Sequence, residues 1–420
     1  MSRYLQLLRE NPHFTRLWLS QVISMTGDWF NTVVLFALVA AYSPGREGVA
    51  VSLFVLARVV PPMLISPITG VLVDRLNRKR LLIWSNVLRV FVVAALLITT
   101  QGPEWLWLIY VLTVVQFAIS AVFEPAQSAL LPMLVPPQDL IVANTLVSIT
   151  WSSMLAIGAV IGGVVATVLG AYAALIFDAL SFAVAAWLVL PIVPRVIAVV
   201  QEHAHTADTS FRDGLRFLRS RPQSAMLLLA KFGMSLGNVD TLVAIYATQI
   251  FVYGEGGGLG LGLMYSAFGV GAVIGPLIFN RFNDGSIKVM RRLMLVAFFG
   301  AVAGWLTLGS ASTFVLLCLG LFIRAVCGST NWTYSTIALQ KTVPNLYLGR
   351  VFSLDMAGFY LATVISTVAH GWLIDAVGSA NVRLIALGTG VVALIPALIW
   401  LLLTRHFEQR ELEPATAAAD

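Results

Sequence analysis

Twelve stretches of this chain are apolar for roughly twenty residues or more, the length that crosses a bilayer as a helix. They run about 17–42, 49–73, 81–100, 105–125, 141–169, 171–192, 223–252, 259–280, 293–309, 313–335, 350–377 and 382–403, and are numbered here spans 1 to 12. In hydrocarbon every backbone N–H and C=O must be satisfied internally, which leaves helices or closed barrels. Runs this long without alternation predict helices. Composition agrees: 59% of residues are hydrophobic and 11% charged, against about 25% charged in soluble domains. The expected class is an all-α, multi-pass membrane protein.

Charge is distributed unevenly along this frame. Spans 2 and 3 are joined by Gly70-Val-Leu72-Val-Asp74-Arg75-Leu-Asn77-Arg78-Lys79-Arg80, with four basic residues in its last six. Short basic loops belong on the cytoplasmic side. With the N-terminus placed there, only Arg46 and Arg383 of the 26 basic residues fall outside, and Arg58, Arg89, Lys231 and Arg324 lie within spans. Both termini are therefore expected in the cytoplasm. The +6 net charge is a matter of topology, and no nucleic-acid partner is expected. Met1 to Arg16 is polar and basic, unlike a cleaved signal, so span 1 should serve as its own targeting signal.

Several chemistries are excluded. Cys318 and Cys327 are nine residues apart in one run, on opposite helix faces, and form no disulfide framework. No Cys/His set has metal spacing; His203 and His205 read as solvated loop residues. No G-x-x-x-x-G-K-[ST] loop occurs to cradle phosphates. The glycine-rich Gly254 to Gly262 falls on the outer side, lacks a following Lys and reads as a turn. No convergent catalytic set appears and the loops are too short for a receptor domain. An enzyme or receptor is thus the remote alternative, and no cofactor or metal is expected.

The longest polar stretch, about 194–222, divides the chain into a six-span bundle at 1–193 and a second at 223–404, followed by a tail at 405–420. Weak repetition supports the division. Ser24-Met-Thr-Gly27-Asp28 is echoed by Met234-Ser-Leu-Gly237-Asn238, Gly70-Val-Leu-Val by Gly275-Pro-Leu-Ile, and Gln116-Phe-Ala-Ile-Ser120 by Arg324-Ala-Val-Cys-Gly328. The offsets are 210, 205 and 208 residues. Two pseudo-symmetric six-helix bundles with a substrate site between them are a common transporter plan.

The hairpin from Gly70 to Lys79 resembles the signature loop of the major facilitator superfamily, with Asn77 in place of Gly; Asn tolerates left-handed backbone. Asn11-Pro-His-Phe-Thr-Arg with Gly27-Asp28-Trp29, Phe123-Glu-Pro-Ala-Gln, Phe177-Asp-Ala-Leu-Ser-Phe and Gly349-Arg350-Val-Phe-Ser resemble its drug and siderophore exporter branch. The resemblance covers the whole chain. It implies a monomer in the bacterial inner membrane, exporting amphipathic small molecules by alternating access as protons enter. A dedicated siderophore exporter or lysophospholipid transporter is the alternative. It also implies a cytoplasmic gate built from Gly70, Asp74, Arg75, Arg78, Lys79, Glu124 and Arg350, in which Asp74, Arg78 and Glu124 form a latch. Gly158-Ala159-Val-Ile-Gly162-Gly163 resembles the antiporter motif of span 5 with Ala159 replacing Pro, which removes an expected kink.

A charge at the bilayer centre costs about 2.5–3.5 kcal/mol on the insertion scale, so each one needs a reason. Gln21, Ser24, Asp28 and Asn31 share a face of span 1, and a polar stripe there points to a wet cavity. Asp28 is the first candidate for protonation, with a structural carboxylate as the alternative. Gln116, Ser120, Glu124 and Gln127 make the matching stripe in span 4. Superfamily members often carry Arg at the place of Gln116, linked by resemblance to proton coupling; here Arg324 holds the repeat-related position in span 10, with Asn331 on its face. Arg324 is read either as a substrate contact or as one member of a buried ion pair. Asp240 follows Gly233 and Gly237 on a small-residue face and is read as packing or as a second protonation site. Lys231 is expected to snorkel to the interface. Arg58, Arg89 and Asp178 are expected to pair with one another within their bundle.

Overall fold

The computed structural model describes residues 3–194, 216 and 218–416. Among them the regular structure is helical and contains no strand. Eleven helices in the described residues are long and apolar enough to span a membrane, and the longest, Val142–Val189, has 48 residues. At 1.5 Å per residue such a rod would be roughly 72 Å long, more than twice the hydrocarbon thickness. It is two spans, because Gly170 breaks it with φ 81 and ψ 168. That positive φ costs glycine nothing, and it falls between the runs read as spans 5 and 6. The twelve-span reading stands. The 194–222 loop, including His203, His205 and Asp208, lies mostly outside the described residues.

Local chemistry sets the helix ends. Pro12 and Pro222 occupy the first turns of their helices, where the missing N–H costs nothing. Ser286 and Thr313 cap the helices of spans 9 and 10 by accepting the N–H of Val289 and Leu316. Asn77 does the same for span 3, accepting from Arg80 N at 3.1 Å. Its backbone is extended (φ −67, ψ 110), so the left-handed role expected of Asn77 is replaced by capping.

Among the described residues, three spans are interrupted. Span 4 runs Leu106–Ser120 and then Phe123–Leu130. Span 5 contains a wide π-helical turn over Met154–Gly158, immediately before Ala159. Loss of the proline therefore does not leave span 5 regular. Span 7 ends its first segment at Ser235, loses helical form over 236–239, resumes at Asp240–Ile245 and finishes in a π turn at Tyr246–Ile250.

The chain forms two compact units, Met1–Val199 with Asp240–Ser266 and His370–Ala380, and Val200–Val239 with Ala267–Ala369 and Asn381–Asp420. The first has a core of Phe14, Leu17, Leu82, Ala126, Leu130 and Val189 from spans 1, 3, 4 and 6. Inside this unit, Asp375 of span 11 accepts the Gly48 and Val49 N–H groups at 2.8 and 3.2 Å, at the N-terminus of the span 2 helix. The second unit packs around Leu227, Met294, Phe298, Ala338, Ala397 and Trp400. Large apolar side chains such as Trp84, Phe91, Trp187 and Trp372 are exposed, as lipid-facing positions require.

Candidate functional site

Span 1 brings its polar face against three neighbours of the first unit. Gln21 accepts from Gln127 at 2.7 Å. Asn31 donates from one amide nitrogen to Gln116 Oε1 at 3.1 Å and to Asp178 Oδ2 at 2.9 Å. Ser24 returns its hydroxyl to the Gln21 carbonyl. These three residues are buried, so most of the expected wet stripe is dry protein contact. Asp28 alone is open, its side chain 38% exposed, with a carboxylate oxygen 3.7 Å from the Arg89 guanidinium.

Arg89 is 4% exposed and lies over the rings of Phe182 and Phe123, at 4.2 and 5.1 Å from their centroids. It also donates to Asn86 Oδ1 at 2.9 Å. Spans 1, 3, 4 and 6 thus converge on Asp28, Asn31, Arg89, Gln116 and Asp178. The convergence depends on Gly27: a Cβ there would overlap the Ser181 hydroxyl and the Asp178 carboxylate. Arg89 meets Asp28 and Asn86, and Asp178 is held by Asn31, so the direct pairing expected of Arg89 with Asp178 is replaced by contacts to their neighbours.

Arg58 takes a different place. Its guanidinium sits 5.2–5.8 Å from the ring centroids of Phe36, Phe54 and Phe117 and donates to Thr32 Oγ1 at 3.3 Å. It lies within electrostatic reach of both Asp28 and Tyr265. Tyr265 donates to Asp240 Oδ1 at 2.9 Å and packs on Trp29, ring centroids 5.2 Å apart. Asp240 is therefore a hydrogen-bonded carboxyl at the start of a helical segment, not a member of one continuous small-residue face with Gly233 and Gly237.

In the second unit Arg324 serves the break in span 7. It donates to the Met234 carbonyl at 2.6 Å and the Gly237 carbonyl at 3.2 Å. The first of these carbonyls lies in the last turn of the segment, where a cation also suits the helix dipole, and the second lies in the break. Neither expectation for Arg324, a substrate contact or a carboxylate pair, describes this contact. Asn238 completes the break by donating from its backbone to Ser366 Oγ at 2.9 Å and from its side chain to Thr367 Oγ1 at 3.1 Å. Asn331 is fully buried with both amide atoms unpartnered.

Lys231 does not snorkel. It is 3% exposed, 2.6 Å from Asp355 Oδ2, and 4.3 Å from the Trp332 ring centroid.

At the basic hairpin, Arg78 donates to the Ala129 carbonyl at 3.0 Å and to Met133 Sδ at 3.4 Å. Glu124, placed in the latch from sequence, is exposed, and Lys79 is half-buried. The side chains of Gly70, Asp74, Arg75 and Arg350 lie outside the described residues. In the connection before span 9, Asp284 accepts the Ser286 N–H at 2.8 Å, which holds its carboxyl below the ordinary range.

Asp178, Asp355, Tyr265 and Trp29 are the site residues that sequence reasoning passed over or underweighted. An acid inside an apolar run was the available signal for Asp178 and Asp355. Tyr265 and Trp29 gave none, because aromatic residues are ordinary in such runs.

Comparison with known proteins follows the same lines. The family model described as transmembrane secretion effector matches residues 7–419. The major facilitator-type transporter YfiS of Bacillus subtilis is 25% identical over 414 residues, covering 96% of each chain. The putative bacilysin exporter BacE of Bacillus amyloliquefaciens is 24% identical over 85% of this chain and 88% of its own. A solved bacterial homologue of the human lysosomal transporter Spinster superposes with a TM-score of 0.72 at 12% identity, over 95% of this chain and 98% of that one. That likeness speaks to the fold.

Proposed function

We propose, from the premise that this chain belongs to the transmembrane secretion effector family and is a major facilitator superfamily transporter, that it exports amphipathic small molecules across the bacterial inner membrane by alternating access, driven by entering protons. The observation that carries the reading is Asp28, an accessible carboxylate within span 1, paired to a buried guanidinium at 3.7 Å and flanked by Trp29. A carboxylate among apolar helices costs free energy unless it is paired or titrates. An aromatic neighbour supplies the apolar half of an amphipathic recognition surface. The relation to a putative bacilysin exporter supports the outward direction of transport. Asp240, held by Tyr265, is the second carboxyl of the coupling machinery.

The chain works as a monomer in the lipid bilayer with both termini cytoplasmic, as the basic loops imply. The Gly70 to Lys79 hairpin is the cytoplasmic gate, and the contact of Arg78 with the Ala129 carbonyl supports a docking role against span 4. The test is transport of an amphipathic compound panel in proteoliposomes, with and without a pH gradient. Wild-type protein should respond to the gradient and Asp28→Asn should lose that response. A gradient-driven rate unchanged in Asp28→Asn would remove Asp28 from the mechanism.

A further inference from the structure

Among the described residues, the charges gathered around span 1 of the first unit do not balance. Asp28, Asp178 and Asp240 face two cations, Arg89 and Arg58, and Arg58 and Asp240 meet around Tyr265. Locally, then, Asp28 and Asp178 share Arg89. With every group ionised the set carries one uncompensated negative charge, and its fully buried member is Asp178. Arg58 does not cancel it, because its guanidinium is held over three rings and on Thr32, beyond ion-pair contact with Asp28.

Hydrogen bonding locates the imbalance. Asp178 is completely buried. A carboxylate offers about four acceptor positions, yet this one receives a single described donor, Asn31 Nδ2 on Oδ2 at 2.9 Å. Oδ1 is sealed without a partner. The adjacent Ser181 hydroxyl donates to the Asp178 backbone carbonyl at 2.7 Å. A carboxyl so deeply buried and so short of donors costs less neutral than ionised. Asp28 has the opposite setting, with access and a guanidinium.

We propose that Asp28 and Asp178 hold one proton between them, resting on Asp178 and leaving through Asp28. In the transfer the O–H bond of Asp178 breaks and an O–H bond forms on Asp28, so the charge moves and the total is unchanged. Asp178 becomes the carboxylate facing Arg89, and Asp28 can then release the proton where it is exposed. Besides Arg89, Arg58 and the two acids, the neighbouring groups are Asn31, Gln116, Ser181 and the rings of Phe123 and Phe182, none of which titrates near neutral pH. The inference rests on the proton-coupled reading above and deepens it by naming the acid that shares the proton with Asp28.

The charge count makes a test that needs no substrate. Infrared spectra of the purified, reconstituted full chain should show a protonated-carboxyl C=O band at neutral pH. Asp28→Asn and Asp178→Asn keep side-chain shape while leaving one carboxyl for one guanidinium, so each should remove that band. Loss of the band in both variants, with wild-type helicity and a monodisperse elution profile, is the expected result. Persistence of the band in either variant would overturn the shared proton. Transport by the wild type that ignores a pH gradient would count against the proposed function instead, so the two failures are distinguishable.

Discussion

The Lys231–Asp355 pair allows the most quantitative prediction. At 2.6 Å and an effective dielectric of about 20, the Coulomb attraction is roughly 6 kcal/mol. Desolvation opposes it by several kcal/mol per ion, and Asp355 Oδ1 meets no partner to offset that cost. The pair should therefore contribute little net stability, although either charge left alone is expensive. Lys231→Met should destabilise the protein by about 3–5 kcal/mol, roughly a hundred- to a few-thousandfold in the folded population. Asp355→Leu should cost a similar amount. The double variant should return to within about 1 kcal/mol of wild type or exceed it, apart from the contact of Lys231 with Trp332, worth about 0.5–2 kcal/mol. A double-mutant cycle by equilibrium unfolding in mixed micelles, followed by tryptophan fluorescence, measures the coupling. If the two single losses simply add, to within about 0.5 kcal/mol, the charges do not interact and the reasoning is wrong.

Two further consequences are open to direct measurement. Arg324→Gln should lose the charge-assisted bonds that close the span 7 break, at about 1.5–3 kcal/mol each, and Arg324→Lys should recover only part, since an ammonium does not reproduce the guanidinium fork; an unfolding midpoint unchanged in Arg324→Gln would refute the capping role. Asp375→Ala should remove the acceptor from Gly48 and Val49 N–H, a cap worth about 0.5–2 kcal/mol. Hydrogen exchange at those two amides should accelerate, and equal protection in the variant would show that the carboxylate does not hold that helix end.

Much of the architecture was legible because hydrocarbon is an uncompromising solvent: runs of twenty apolar residues have no alternative to helices there. The break between spans 5 and 6 also falls where hydropathy placed it, at Gly170. Within the site, Asp28 and Asn31 could be placed on one face from spacing alone. Their partners could not. Asp178 is 147 residues from Asn31 and Asp355 is 124 from Lys231, and helical periodicity says which face a residue is on, not which helix it meets.

The interruption of span 7 shows the limit most clearly. Gly233 and Gly237 read as a packing stripe, and no proline marks 236–239. The helix can open there because Arg324, Ser366 and Thr367 satisfy the freed backbone and Asn238 groups, which is what the membrane interior demands of any irregular backbone. Arg324 itself looked like a charge in search of a carboxylate, and Lys231 like one bound for the interface. Hydropathy and charge spacing were enough to set the number of spans, their helical form and the presence of charges that need compensation. How each charge is compensated emerges from the folded packing, because pairing depends on helix rotation, breaks and long-range contacts that a local hydropathy pattern does not contain.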